Sequence, residues 1–324
     1  MSGEKTKKKI SSGVIVLIIV LIAVVLLSVA QIVSAFTESS PRANRSKNIP
    51  HSNGKYVAEL YIDGTITDKN ETYNQEWLLS TIEQLKNDPK NEGILLYIDS
   101  PGGAVYQADE AYLALMDYRA EKPVWAYFGS LAASGGYYIG CSAEKIAANR
   151  NTLTGSIGVI AGRSVDLTGL MNKYGIKMTT ITAGKNKNMM GIDSPVTEEQ
   201  KKIMQDLADE CYEQFVGIVA DSRNLSIAQT KQLADGRIYT AKQAKENGLI
   251  DEICSLEEFE TKFKEFLRND KITFQELKYE REKKFYEDFF SSFSKINNRN
   301  SEFEMIQEMI STDMTYPAFL YQAN

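Results

Sequence analysis

Phe128–Gly140, with the sequence FGSLAASGGYYIG, is the stretch around which the chain is organised. Ser134 stands there between two alanines and two glycines, after a β-type run at Val124–Phe128 and before a predicted short helix. A strand–turn–helix setting can hold a hydroxyl at a sharp, exposed corner, and the small neighbours leave room for another backbone to come close. The same pattern is compatible with an ordinary small-residue helix packed on a sheet, so other parts of the chain must decide.

Charge, length and cysteine content exclude several classes of protein. The formal net charge is −6, so nothing in the composition indicates nucleic-acid binding. The 324 residues allow one or two domains with a sizeable core. Cys141, Cys211 and Cys254 lie far apart without metal or redox spacing, and we expect them to be small core residues. No metal, nucleotide or coenzyme motif is present, so we predict no cofactor.

The single histidine limits the catalytic chemistry. His51 lies in the polar segment Asn48–Gly54, which is typical of a linker. A Ser–His–Asp triad needs a histidine held rigidly beside the serine, so His51 is a poor candidate. Any serine chemistry must therefore use another base, and lysine is the natural substitute.

An uncharged apolar run at Gly13–Phe36 predicts a transmembrane helix. At about 1.5 Å per residue it covers roughly 36 Å, enough to cross a hydrocarbon core of about 30 Å. A cleavable signal peptide is the alternative, with a weak cleavage-like site at Val33–Ala35, although such peptides have an apolar region of about 7–15 residues. The lysine cluster before the run predicts a cytoplasmic N-terminus and an extracytoplasmic remainder. The predicted order is a cytoplasmic N-terminus at 1–12, a transmembrane helix at 13–36, a linker at 37–54, a globular domain at 55–268 and a C-terminal tail at 269–324.

Short apolar strands alternate with helices across the globular domain, which favours an α/β fold with a largely parallel sheet. We predict strands at Tyr56–Ile62, Gly93–Ile98, Val124–Phe128, Lys145–Ala148 and Met178–Thr182. We predict helices at Asn74–Asn87, Ala104–Arg119, Asp166–Tyr174, Thr197–Asp221, Ser226–Leu233, Ala241–Asn247 and Leu256–Phe266. The long helix starts with a capping box of Thr197 and Gln200. We expect its apolar stripe to pack in the core; its members are Ile203, Leu207, Cys211, Phe215 and Ile218.

Three glycine-bearing turns follow strands, at Pro101–Gly103, Ser134–Gly136 and Thr154–Ser156. Sites in open α/β sheets form at the C-terminal ends of strands. The first turn can direct backbone N–H groups into a cleft, and the N–H after Ser134 gives a second donor for an oxyanion. Each turn taken singly is also compatible with a purely structural role.

A catalytic lysine must lose its proton near neutral pH. A free lysine has a pKa of about 10.4, so a downward shift of roughly 3 units, or about 4 kcal/mol, is needed, and desolvation can supply it. Lys185 and Lys187 lie directly after a predicted strand, on a loop near the strand ends. If that loop is extended, both side chains face the same way, so periodicity leaves both candidates open.

The domain resembles the signal peptide peptidase A (SppA) family, membrane-anchored serine proteases whose fold is related to the ClpP/crotonase superfamily. The similarity runs from about Lys55 to Phe266, through the segments AELYIDGTI, YIDSPGGAV, GSLAASGGYYIG, LTGSIGVI and LADGRIYTAKQAKENGLID in that order. The joint occurrence of these segments is highly specific. The resemblance implies a ClpP/crotonase-like α/β domain with repeated ββα units, preceded by one N-terminal transmembrane helix.

The resemblance also implies roles for individual residues. Ser134 matches the nucleophile, and Gly103 and Gly135 match the positions whose backbone N–H groups form the oxyanion hole. Ser156 matches the serine that hydrogen-bonds the catalytic lysine.

The family's general base falls three residues after the glycine that closes the preceding strand. Gly184 places it at Lys187, which we prefer to Lys185, although the segment GKNKNMMGIDSP carries that extra lysine. The lysine and serine of this family can come from neighbouring subunits, so we expect a ring-like homo-oligomer.

By resemblance, the substrates are released signal peptides and other short apolar peptides. The expected location is the cell membrane, with a single span and an extracytoplasmic catalytic domain. Two alternatives stay open: a crotonase-like enzyme acting on acyl-CoA thioesters, and a non-catalytic membrane scaffold. The Ser/Lys pair and the extracytoplasmic placement count against the first.

Two further segments carry predictions. Asp235–Arg237 (DGR) is predicted to be a structural turn closed by an ion pair and not a catalytic group. The apolar segment Met314–Tyr321 is predicted to lie in the peptide groove of its own or a neighbouring subunit.

Overall fold

The structure is a computed structural model that describes Ile49, residues 52–281 and the backbone of 318–320. His51, the predicted transmembrane segment 13–36 and most of the predicted linker lie outside the described residues. None of the helices in the described part is long and apolar enough to cross a membrane.

A mostly parallel sheet forms the centre of the described domain. Its strands are β1 (Tyr56–Asp63), β2 (Asn91–Ser100), β4 (Val124–Ala133), β5 (Lys145–Ala148), β6 (Leu153–Gly155), β7 (Ile238–Thr240), β8 (Glu252–Ile253) and β9 (Thr273–Leu277). The main path runs β7-β6-β4-β2-β1-β9, with β5 beside β4 and β8 beside β5. All of these pairings are parallel except that of β6 with β7. The predicted α/β fold with a largely parallel sheet is therefore confirmed.

Two short strands and eight helices in the described part complete the domain. The strands are β3 (Gly102–Ala104) and β10 (Ala318–Leu320), which pair with each other. The helices are α1 (Gln75–Asn87), α2 (Val105–Arg119), α3 (Gly135–Gly140), α4 (Thr168–Lys173), α5 (Glu198–Arg223), α6 (Ile227–Leu233), α7 (Ala241–Glu246) and α8 (Leu256–Leu267). The predicted capping box of Thr197 and Gln200 is present at the start of α5.

The sheet is covered on both faces. The continuous apolar run of β2 is typical of this arrangement, because a strand in the middle of a parallel sheet is buried on both of its sides. The larger core lies on the face that contains Leu96 and Phe128. The smaller core lies under α8, where the rings of Phe259 and Phe263 lie 5.0 and 4.7 Å from the ring of Trp125. These two layers hold the carboxyl ends of β2, β4 and β6 in fixed positions.

Two predicted features between β6 and the middle of α5 are wrong. Met178–Thr182 is not a strand: its residues are exposed, Ile181 to 94%, and no strand of the described chain pairs with them. An isolated strand leaves its backbone groups without partners and is not stable. The apolar stripe of α5 enters the core only in its second half, where Phe215 is buried, whereas Ile203 and Leu207 are exposed.

The sheet extends past residue 268, which the sequence placed at the end of the domain. β9 pairs in parallel with β1, from Tyr56 opposite Thr273 to Leu60 opposite Leu277. The first part of the predicted tail therefore forms an edge strand of the central sheet. Among the cysteines, only Cys141 is fully buried as expected, while Cys211 and Cys254 are half-buried.

Candidate active site

Ser134 occupies the corner between β4 and α3. Its backbone has φ 54° and ψ −117°, a conformation that costs a non-glycine residue about 1–3 kcal/mol. Its carbonyl oxygen accepts a hydrogen bond from the N–H of Tyr138 at 2.8 Å, which starts the helix. The predicted strand–turn–helix arrangement is confirmed, but Ser134 is only 1% exposed, so the corner is buried in this chain and not open as predicted.

The turn at Ser100–Gly103 lies next to that corner and is held by two hydrogen bonds of the Ser100 hydroxyl. The Ser100 hydroxyl donates to the carbonyl oxygen of Gly64 at 2.6 Å and accepts from the N–H of Gly102 at 3.1 Å. A Cβ on Gly136 would lie 3.0 Å from the carbonyl oxygen of Ser100. The first turn of α3 therefore packs directly on the turn that carries Gly103.

Gly103 is enclosed on one side and open to a partner strand on the other. A Cβ at Gly103 would lie 1.8 Å from the carbonyl oxygen of Ile66, so a larger residue cannot fit. Ile66 bonds through its N–H to the carbonyl oxygen of Gly102 and through its carbonyl oxygen to the N–H of Ala104. Because backbone groups alternate along a strand, the N–H and C=O of Gly103 point away from Ile66.

β10 pairs with that open edge. Its register is antiparallel, with Ala318 opposite Ala104, Phe319 opposite Gly103 and Leu320 opposite Gly102. An extended piece of the chain's own C-terminus thus lies along the strand that carries the predicted oxyanion donor. The rest of the predicted groove-binding segment lies outside the described residues.

The third glycine-bearing turn carries Ser156 and completes the cluster. Gly155 and Ser156 both have positive φ, 87° and 49°. The N–H of Ser134 donates to the carbonyl oxygen of Gly155 at 2.8 Å, and Ser156 is buried. The three turns picked out in the sequence therefore meet at one place.

The two candidate lysines lie on an exposed loop, and in the described chain neither forms a hydrogen bond with Ser134 or Ser156. Lys185 forms an ion pair with Glu199, and this hydrogen bond holds the pKa of Glu199 below its ordinary value. The amide of Lys187 donates to the carbonyl oxygen of Gly184 at 3.2 Å. Within the part of the chain that the structure describes, the Lys187 amine has neither an ion pair nor a hydrogen bond. The single chain therefore brings Ser134, Gly103, Gly135 and Ser156 together, and no hydrogen bond or ion pair joins the Lys187 amine to them in the described residues.

Asp99 shapes the strand that leads to Ser134, a role that the sequence analysis missed. Its carboxylate accepts hydrogen bonds from the amides of Ser130 and Leu131, at 3.3 and 3.1 Å, and from the Ser130 hydroxyl at 2.7 Å. The register of β2 with β4 shifts at this point. The available signal was an acidic residue directly after a buried apolar strand.

A polar cluster anchors α3 from its other side. The Tyr138 hydroxyl donates to Asp109 at 2.6 Å, and the Gln214 amide donates to the Tyr138 oxygen at 2.7 Å. Burial, with the Asp109 hydrogen bond, raises the pKa of Tyr138. The cluster joins α2, α3 and α5, so the helix that begins after Ser134 is tied to two neighbours. No group of three or more His, Cys, Asp or Glu residues suited to a metal ion occurs among the described residues.

Comparisons with known proteins show what the chain is similar to. The model of peptidase family S49 matches residues 117–270. An Enterococcus faecium protein assigned as signal peptide peptidase SppA is 36% identical over 210 residues, which cover 62% of this chain and 61% of that protein. A Synechocystis protein assigned as a protease is 38% identical over 207 residues, which cover 64% of this chain and 73% of that protein. The solved structure of a ClpP1 mutant from Listeria monocytogenes matches with a TM-score of 0.40 and 20% identity, over 62% of this chain and 92% of that one.

Proposed function

The chain belongs to peptidase family S49 and is a serine peptidase, and from this premise we propose a membrane-anchored endopeptidase with a Ser134–Lys187 dyad. Its proposed substrates are released signal peptides and other short apolar peptides. The observation that carries the proposal is the strained corner at Ser134, where a buried hydroxyl adjoins two glycine turns. Strained backbone conformations of this kind persist only where the surrounding structure enforces them, and they are concentrated at active sites and ligand-binding sites.

The chemistry follows from the groups at the corner. Neutral Lys187 takes the proton of the Ser134 hydroxyl as its oxygen attacks the peptide carbonyl carbon. The N–H groups of Gly103 and Gly135 stabilise the negative charge on the carbonyl oxygen. The lysine then protonates the leaving amine, and water, activated by the same amine, hydrolyses the acyl-enzyme and restores Ser134.

Ion pairing favours Lys187 over Lys185 as the base. The Lys185 amine is bound to the Glu199 carboxylate and would have to leave this ion pair before it could reach Ser134. Lys187 has no such partner among the described residues, which leaves its amine available for transfer to an apolar, desolvated position. That position is beside Ser156, whose buried hydroxyl would hold the neutral amine.

We further propose that a second copy of this chain supplies the lysine. The segment before the lysine loop exposes large apolar side chains, which in a soluble domain indicate an interaction surface. They are Val165, Leu170, Tyr174, Ile176, Met178 and Ile181. A neighbouring subunit that covered this segment would desolvate the loop and bring Lys187 to a serine corner, which fits a ring-like homo-oligomer.

The pairing of β10 with β3 supports a peptide substrate. An extended backbone fits antiparallel to Gly102–Ala104, the arrangement by which peptides add to an exposed strand edge. A substrate in this place has a carbonyl group close to both the Gly103 N–H and the Ser134 corner. Membrane anchoring through residues 13–36 would hold this groove beside the bilayer, where signal peptides are released.

A complementation assay tests the proposal. The full-length protein in detergent is incubated with a fluorogenic apolar peptide, as wild type, as Ser134→Ala, as Lys187→Ala and as a co-expressed mixture of the two variants. We expect no turnover by either variant alone and recovered turnover by the mixture, because mixed rings pair an intact serine with an intact lysine. Turnover by Ser134→Ala would contradict the proposed enzyme and favour a scaffold, and an inactive mixture would contradict a dyad shared between subunits.

A further inference from the structure

We propose that the exposed pair Asp235 and Arg237 positions Ser156 for its hydrogen bond to the catalytic lysine, so that the DGR turn is a positioning device of the active site. This inference rests on the proposed function, because the role of Ser156 belongs to it. It goes beyond the structural turn that the sequence predicts, since it assigns the turn an effect on turnover.

Two backbone hydrogen bonds join the turn to Ser156 and its neighbour. The N–H of Ser156 donates to the carbonyl oxygen of Arg237 at 2.8 Å, and the N–H of Gly236 donates to the carbonyl oxygen of Ile157 at 3.1 Å. They continue the antiparallel pairing of β6 with β7, in which Gly155 lies opposite Ile238. Ser156 at φ 49° is thus held in a strained conformation by the DGR backbone.

The side chains of the turn hold that backbone in shape. The Arg237 Nε–H donates to both carboxylate oxygens of Asp235, at 2.7 and 2.8 Å, and a terminal N–H of Arg237 donates to the same carboxylate. The backbone N–H of Arg237 also donates to Asp235 Oδ1 at 3.2 Å. The ring of bonds encloses Gly236 at φ 85° and fixes the carbonyl oxygen that Ser156 uses.

Tyr239 and the Arg237 carbonyl pack closely against Gly155, the residue before Ser156. A Cβ on Gly155 would lie 2.6 Å from the ring of Tyr239 and 3.2 Å from the carbonyl oxygen of Arg237. The Tyr239 hydroxyl donates in turn to the carbonyl oxygen of Leu233 at 2.8 Å. Because the Ser156 N–H bonds directly to the Arg237 carbonyl oxygen, a shift of Arg237 either moves Ser156 or breaks that bond.

Loss of the Asp235–Arg237 ion pair should affect the reaction rate much more than the stability of the fold. An exposed ion pair contributes little to folding stability, because water solvates both charges in its absence. A displacement of about 1 Å at a catalytic centre can cost roughly 100-fold in rate. Loss of the pair should therefore lower kcat strongly while leaving the unfolding temperature close to that of the wild type.

A variant series with a matched control tests the inference on the full-length protein. Arg237→Ala removes the ion pair with Asp235. Arg237→Lys keeps the positive charge but lacks the several N–H donors of the guanidinium group. Asp235→Asn removes the negative charge but keeps an oxygen that accepts from the Arg237 backbone N–H. Lys231→Ala removes a similarly exposed ion pair, with Glu213, from the neighbouring helix α6. The readouts are kcat, KM, the pH–rate profile and the midpoint of thermal unfolding.

We expect Arg237→Ala to lower kcat about 10-fold with a smaller change in KM. The acidic limb of the pH–rate profile should move to higher pH, because the neutral Lys187 amine loses its hydrogen bond with the Ser156 hydroxyl. Arg237→Lys and Asp235→Asn should each have a kcat between those of Arg237→Ala and the wild type. Lys231→Ala should have the kcat of the wild type. An unchanged kcat and profile in Arg237→Ala, with Ser134→Ala inactive, would overturn the inference alone. The inference would also be overturned if kcat fell across the variants only in proportion to the fall in the midpoint of thermal unfolding. A wild type without turnover would overturn the proposed function, and the inference with it.

Discussion

The N–H of Ser134 donates a hydrogen bond to the carbonyl oxygen of Gly155, with the nitrogen and oxygen 2.8 Å apart. One backbone bond therefore ties the proposed nucleophile to the turn that carries Ser156. Because main-chain groups have little freedom, the separation of the two serines is set by the sheet and not by side-chain rotamers. In the proposed mechanism, the lysine would join residues whose backbone the sheet already holds in place.

Gly155→Ala should damage the site through this tie. The residue has φ 87°, and its new Cβ would meet the ring of Tyr239 at 2.6 Å. We expect a loss of about 1–3 kcal/mol in the free energy of unfolding and a fall in kcat of at least about 10-fold. Chemical denaturation and peptide turnover measure the two effects.

Gly217→Ala is the matched control for that substitution. Gly217 lies inside α5, and nothing lies within 4 Å of the added Cβ. Because alanine favours helix over glycine by about 1 kcal/mol, this variant should be more stable than the wild type and equally active. A stable, fully active Gly155→Ala protein would show that the turn tolerates a side chain.

Gly103→Ala should abolish turnover. A Cβ there would lie 1.8 Å from the carbonyl oxygen of Ile66, so the strand must move and its N–H must leave the oxyanion position. The loss of one oxyanion donor costs about 100- to 1,000-fold in kcat. Gly54→Ala, where the added Cβ meets nothing within 4 Å, should keep wild-type kinetics. A Gly103→Ala enzyme with normal kcat would remove Gly103 from the oxyanion hole.

Deletion of Asp313–Asn324 should lower the apparent KM for an apolar peptide. The deleted segment includes Ala318–Leu320, which lies along β3 where a substrate strand would pair, so its loss removes a competitor. A shorter deletion of Gln322–Asn324 keeps that strand and should leave KM close to the wild-type value. Equal KM values in all three proteins would show that β10 does not compete with substrate.

Glu59→Gln should stabilise the protein at neutral pH. Burial raises the pKa of Glu59, and nearby Glu260 and Glu276 add to the shift, while the hydrogen bond from Tyr61 opposes it. A carboxyl group whose pKa is raised on folding binds more protons in the folded state, so it destabilises the fold at pH 7; this penalty shrinks as the pH falls below the raised pKa and is lost below the pKa of the unfolded state.

Glutamine has no charge to desolvate and still offers an oxygen to the Tyr61 hydroxyl. The midpoint of thermal unfolding should be higher for Glu59→Gln than for the wild type at pH 7, and the difference should shrink as the pH falls and vanish below about pH 4, where glutamate becomes protonated in both states. A difference that is independent of pH would show that the charge of Glu59 is not its cause.

Local patterns in the sequence predicted the local structure well where neighbouring residues decide it. The corner at Ser134, the turn at Gly103 and the capping box at Thr197 depend on glycines, small residues and caps that act over a few positions. The ion pair between Asp235 and Arg237 is confirmed for the same reason.

Other features depend on partners distant in sequence, and the pattern failed there. Met178–Thr182 has the composition of a strand but lacks a neighbouring strand in the described chain. β9 is short and polar, and it forms because the edge of β1 is free. Asp99 acts on amides more than thirty residues later, at Ser130 and Leu131, a contact that only the folded chain reveals.

The kinetics of Lys187→Ala compared with Lys185→Ala test the central claim most directly. The claim is that the amine of Lys187, which has no partner among the described residues, removes the proton of Ser134, while Lys185 is held by Glu199. We predict that Lys187→Ala abolishes turnover of an apolar peptide by the full-length protein and that Lys185→Ala keeps it within a few-fold of the wild type. Turnover by Lys187→Ala together with an inactive Lys185→Ala would contradict the account.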